Sequence, residues 1–296
     1  MTSTFARSAC AVGLVVAATA TGCADRSAPE ARPVTVEVTD TDRALLRHTE
    51  QVLVERCMTD RGFSYWAGPR PTPEESFTVG YLLSDVGWAR KHGYGSRIKA
   101  KVLEARKDDP NQRYQDALPP ARMDAYLTAL GGGPKTRHLS VRVPSGGTIS
   151  RSLGGCEESA QVQLYGDPAT WFRVSKIATN LTPLYVAKLS RTPEFTGAQR
   201  AWATCLRAAG LDYPTPDALR GALPELTAGE PEAAAFATEV RFATAEAECA
   251  RSSGFARTGS ALVRRAVDGL RDAYGAELDA YAHLEHRALD RARALT

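Results

Sequence analysis

Two nine-residue stretches of this chain end alike: Cys57-Met58-Thr59-Asp60-Arg61-Gly62-Phe63-Ser64-Tyr65 and Cys205-Leu206-Arg207-Ala208-Ala209-Gly210-Leu211-Asp212-Tyr213. Both read C-[LM]-x-x-x-G-[LF]-x-Y. A cysteine one turn inside a helix end, a glycine that turns the chain, and an apolar residue beyond it describe a structural joint, not a catalytic motif. A looser third copy ends in Gly254-Phe255, after Cys249. The chain must therefore fold as helices whose ends are fixed by glycine and whose cysteines can tie one helix to another.

The fate of those cysteines depends on the compartment, which the N-terminus addresses. A single cation, Arg7, precedes an apolar run from Ala9 to about Ala20, and Ala20-Thr21-Gly22-Cys23 follows. This is the layout of a signal peptide over 1–22, too short for a stable spanning helix. The small residues before Cys23 match a bacterial lipobox, with Cys23 as the acylated mature N-terminus. Ala18-Thr19-Ala20 offers the competing A-x-A site for plain secretion. With Cys10 and Cys23 set aside, four of six cysteines remain in an oxidising setting, where three pairings are allowed. The repeat favours Cys57 with Cys156 and Cys205 with Cys249.

Residues 23–33 are small, charged or proline, as in a lipidated tether. Beyond it we expect two cysteine-bearing helical units: 34–192, with a long insertion, and 193–296, with a long C-terminal helix. Alternation of Val34, Val36 and Val38 predicts a short strand, and Leu139, Val141 and Val143 predict its mate, giving a small two-stranded β ribbon. Helices are expected from Asp40 to Arg61, Asp85 to His92, about Pro119 to Leu130, and through Ala160 to Tyr165. Further ones run from Pro168 to about Arg191 with a kink at Pro183, through Trp202 and Cys205, and from Pro231 to Ser252. A single amphipathic helix is expected from Ser260 to about Ala294, weakened only at Gly269 and Gly275. Lys99 to Gln112, rich in charge, reads as a solvated segment. Leu184 and Val186 are core candidates, with Trp171, Ile177 and Leu181. The fold class is mainly α, stapled by disulfides.

The chain resembles a family of uncharacterised exported lipoproteins of high-GC Gram-positive bacteria. The resemblance rests on Cys57-Met58-x-x-x-Gly62-Phe63-x-Tyr65, Asp85-x-x-x-Ala89-Arg90-x-x-Gly93-Tyr94-Gly95, Asn111-x-x-Tyr114 and Tyr126-x-x-Ala129-Leu130. Gly155-Cys156 with Leu164-Tyr165-Gly166-Asp167, and Trp202-x-x-Cys205-Leu206-x-x-x-Gly210, complete it. It implies export and a cysteine framework, and it brings no activity and no catalytic residues.

Composition narrows function mainly by exclusion. A formal charge of +3 gives no electrostatic case for nucleic acid. No G-x-S-x-G elbow occurs, and Gly131-Gly132-Gly133-Pro134-Lys135-Thr136 lacks phosphate-loop spacing, so it reads as a hinge. His48, His92 and His138 are isolated. Asp279, His283 and His286 fall roughly on one face of the last helix and form a weak metal-site candidate, against the plainer reading of a solvated charged face. Asp108-Asp109 and Glu157-Glu158 read as surface or helix-start acids. Phe63, Tyr65, Trp66, Tyr81, Trp88 and Tyr94 read first as core and second as the lining of a ligand groove. No cofactor is indicated. The expectation is a non-enzymatic binding or accessory module, anchored through a lipid on Cys23 to the outer face of the cytoplasmic membrane, with an envelope protein as partner. The alternative is an envelope hydrolase or metal-dependent enzyme whose site is assembled from scattered residues.

Overall fold

The computed structural model describes residues 37–295. The signal peptide, Cys23, the tether, Val34 and Val36 lie outside the described residues. Helices α1 (Asp40–Asp60), α2 (Pro73–Ser76), α3 (Val86–His92), α4 (Ser96–Lys107), α5 (Pro110–Asp116) and α6 (Pro120–Gly131) lead to the hairpin β1 (Arg137–Arg142) and β2 (Thr148–Leu153). Then follow α7 (Gly155–Tyr165), α8 (Pro168–Ala178), α9 (Thr182–Leu189), α10 (Pro193–Ala208), α11 (Pro216–Gly221) and α12 (Leu223–Leu226). Three longer helices close the chain: α13 (Glu232–Ser252), α14 (Phe255–Asp268) and α15 (Arg271–Leu295).

Local chemistry sets most of these boundaries. Thr39 and Asp42 form a reciprocal capping box at the start of α1, and Asp85, Asp167, Thr192 and Thr215 cap α3, α8, α10 and α11. Each such side chain satisfies backbone N–H groups that the first turn leaves unpaired. Proline stands in the first turn of α8, α10 and α11, where its missing N–H costs nothing.

The two repeated joints share one hydrogen-bond pattern. Gly62, at φ 77°, donates to Thr59 O and Phe63 N–H donates to Met58 O. Gly210, at φ 81°, donates to Arg207 O and Leu211 N–H donates to Leu206 O. Both are Schellman endings, in which glycine alone takes the left-handed turn without a Cβ penalty. Phe63 and Leu211, each just beyond its glycine, are buried. Gly254 is also left-handed, but Phe255 N–H donates to Ser253 Oγ, so the third copy departs from the pattern.

Cys57 is bonded to Cys156 and Cys205 to Cys249, with Cα separations of 5.5 and 5.6 Å. The first bridge joins α1 to the start of α7. Gly155 lets the same end of α7 press against the end of α6: a Cβ there would lie 2.5 Å from the carbonyl oxygens of Ala129 and Leu130.

From Val38 onward the chain is one compact unit, and its apolar residues gather in two large clusters and a smaller one. The first contains Leu53, Met58, Tyr126, Leu164 and Leu289, so α15 closes the core built by α1, α6 and α7. The second surrounds Trp202, Leu206, Leu219, Phe242 and Phe255. The third joins Leu83 and Ala89 to Ala243 and Ala247, fixing α3 on α13. Both α15 and α3 thus pack across the 192/193 position in sequence. Arg43 and Glu285 form an ion pair at 2.8 Å between α1 and α15. Tyr281 donates to the same carboxylate at 2.8 Å; burial, then that bond, push its hydroxyl up to about 12.

Several expected elements differ. Arg137–Arg142 pairs with Thr148–Leu153 in a hairpin closed by the turn Pro144-Ser145-Gly146-Gly147, with both glycines at positive φ, while the strand expected at Val34 and Val36 lies outside the described residues. A hairpin mate six residues away is favoured because so little chain must be ordered to reach it. The helix expected from Ser260 breaks at Gly269-Leu270 into α14 and α15, while Gly275 stays helical. The helix expected over Pro168–Arg191 is two, α8 and α9, and Leu184 and Val186 are exposed. The segment 99–112 forms most of α4 and the first turn of α5, its charges facing solvent along helices with no buried residue.

Candidate functional site

An apolar cleft opens between α9, α10 and α14, with a volume of about 350 Å³. Tyr185, Leu189, Phe195, Phe255 and Val263 line it together with Tyr81, and no charged side chain reaches it. The polar atoms at its edge are mostly hydroxyls, of Ser84, Thr182, Ser190 and Ser260. Gly259 on α14 leaves room: a Cβ there would meet nothing within 4 Å. Tyr81, 45 % exposed, leans over the opening with its ring 5.8 Å from Phe195 and 6.4 Å from Phe255. Its hydroxyl donates to Gln199 Oε1 at 3.1 Å.

The loop that carries Tyr81 is fixed from behind by a buried carboxylate. Glu246 on α13 is fully buried. It accepts from Leu83 N–H at 2.8 Å and from Tyr94 Oη at 2.7 Å, and it is paired with Arg220 of α11 through both Nε and Nη2. Arg220 Nη1 donates to Gly80 O at 2.8 Å. Gly80–Leu83 is therefore pinned at both ends, and its side chains Tyr81 and Leu82 become one wall of the cleft. Burial, followed by the Glu246 charge, pushes the Tyr94 hydroxyl well above its ordinary range. Burial alone would lower the Arg220 pKa, but the bonds and charge of Glu246 override it and hold the guanidinium above its usual value.

Two turns earlier on the same face of α13, Glu239 accepts from Tyr94 N–H at 2.7 Å and Ser96 N–H at 3.1 Å, and also from the Ser96 hydroxyl. Its carboxylate sits at the start of α4, where free N–H groups favour negative charge. Gly93, at φ 58°, lets the carboxylate come this close, since a Cβ would fall 2.8 Å from Glu239 Cγ. Glu239 spends its oxygens on backbone N–H groups and a hydroxyl, and Glu246 on a backbone N–H, a hydroxyl and a cation, so neither stands free as a general base.

Sequence reasoning named neither glutamate nor Arg220. The signal is present nonetheless: Glu239, Phe242, Ala243, Glu246 and Ala250 all lie buried on one stripe of α13, and an acid inside an apolar stripe calls for a partner. Of the aromatic groove candidates, Tyr81 lines this cleft, Trp88 and Tyr94 line others, Phe63 is core, and Trp66 is 40 % exposed.

The metal candidate is not assembled. Asp279 is bound to Arg271 at 2.8 Å and His283 is exposed. Neither Asp279, His283 and His286 nor any other group of three or more His, Cys, Asp or Glu among the described residues is placed to hold an ion. Asp109 caps α5, and Glu157 and Glu158 occupy the first turn of α7, places where a carboxylate serves a helix start. No helix among the described residues is long and apolar enough to cross a membrane. Comparison with family models, curated proteins and solved structures finds no match for the chain.

Proposed function

We propose that the chain is an envelope lipoprotein, held at the outer face of the cytoplasmic membrane by an acylated Cys23, whose folded unit is a non-enzymatic binding module. The observation that carries the reading is the charge-free cleft of about 350 Å³ behind Tyr81. That volume lies within the range of about 300–1,000 Å³ usual for small-ligand sites, and its apolar walls suit an uncharged apolar group. The saturation of Glu239 and Glu246 favours binding over acid–base chemistry.

An uncharged apolar fluorophore such as N-phenyl-1-naphthylamine tests the cleft. The reading expects saturable fluorescence enhancement with the parent chain and at least about tenfold weaker binding to Gly259→Leu, whose side chain fills the cleft while removing a helix glycine that disfavours α14. Equal binding by parent and variant would overturn it. Cys23→Ala tests the anchor separately: the variant is expected to leave the membrane fraction of expressing cells, and retention there would refute lipid anchoring.

A further inference from the structure

A second cleft, of about 540 Å³, opens between α2 and α4 and has a different chemistry. Its apolar surface includes Phe77 and Trp88, stacked with centroids 3.9 Å apart, together with Ile98 and Val102 from α4. Two acids in the lining are already neutralised, Glu74 by Lys91 at 3.4 Å and Glu75 by Lys101 at 3.0 Å. Two cations are not: among the described residues, the side chains of Lys99 and Arg106 have neither ion pair nor hydrogen bond. Both line the cleft. They are seven residues apart on α4, two turns or about 10 Å along one face, and Leu103 between them is 58 % exposed. The nearby Arg97 is occupied, lying over Phe236 and paired with Glu232 at 3.1 Å.

An apolar concavity with a positive lip is complementary to a molecule that joins an apolar body to an anion. We propose that this cleft binds a single-chain phosphate monoester, its apolar part against Phe77 and Trp88 and its phosphate held between Lys99 and Arg106. Phosphate suits the pair because Arg106 can take two of its oxygens in a planar fork while Lys99 meets another as a point charge. Both side chains are long enough to reach one dianion held between them over Leu103. A carboxylate offers fewer oxygens to the same pair, and a flat bilayer surface does not reach Phe77. The proposal does not rest on the apolar cleft between α9, α10 and α14.

Calorimetric titration of the full chain with octyl phosphate tests it. Expected is one-site binding weakened about tenfold by Lys99→Ala or Arg106→Ala, since each removes one charge-assisted contact, and unchanged by Gly259→Leu. Both alanine variants alter exposed side chains, and unchanged thermal unfolding confirms that they fold. Four results would each overturn the proposal: affinity unaltered in the double variant, inorganic phosphate binding as tightly as octyl phosphate, neutral octyl glucoside binding as tightly, or association only with phosphatidylglycerol vesicles.

Discussion

Glu246→Ala is expected to lower the unfolding free energy by about 3–5 kcal/mol, because it leaves the other half of a buried ion pair without a counter-charge. Arg220, whose side chain is 21 % exposed, loses its carboxylate; Leu83 N–H and Tyr94 Oη lose their acceptor in the same substitution. The comparison that isolates the cause is Glu246→Leu combined with Arg220→Met, which removes both charges and restores apolar volume. It is expected to recover most of the loss, since a buried pair gains little over a well-packed apolar substitute. Denaturant unfolding followed by circular dichroism measures both variants. A loss below about 1 kcal/mol in Glu246→Ala would show that solvent reaches Arg220 freely. The same change is expected to weaken apolar-probe binding several-fold, because Gly80–Leu83 is no longer pinned and Tyr81 no longer holds its wall. Loss of stability with binding intact would separate the buried network from the cleft.

Removing the Cys57–Cys156 bridge by paired alanine substitution is expected to cost up to about 4–5 kcal/mol, and removing Cys205–Cys249 slightly less. The separations are 99 and 44 residues, and restriction of the unfolded chain grows only logarithmically with loop length, to about 4.7 kcal/mol near 100 residues. Cys156 and Cys249 are buried among apolar neighbours, where alanine leaves no unsatisfied polar group. The two loops follow one another in sequence without overlapping, so their effects on the unfolded state add. Losing both would then exceed about 7 kcal/mol, comparable to the whole stability of an ordinary domain of about 5–15 kcal/mol. Thermal unfolding with and without a thiol reductant measures this. A midpoint that moves by only a degree or two on full reduction would mean that the packed helices, and not the staples, hold the fold.

What the sequence determined by itself is what depends on neighbours a few residues away. The Schellman joints at Gly62 and Gly210, the caps at Asp85 and Asp167, and the stop of α7 at Gly166 are all short-range hydrogen-bond arrangements, legible as residue types at fixed spacing. The bridges were legible because a repeated cysteine framework limits the pairings. Only the tertiary structure decided the rest. Leu139–Val143 has the pattern of a half-buried strand, but the pattern does not name its partner. The stripe of α15 shows that one side is buried, yet not that it closes the core of α1, α6 and α7. Glu246 looks like an ordinary helix acid until Leu83 and Tyr94, from one distant stretch, and Arg220, from another, enclose it and exclude water. Desolvation and cleft shape are properties of what surrounds a residue in space, and much of what surrounds Glu246 and Tyr81 comes from over a hundred residues away in the chain.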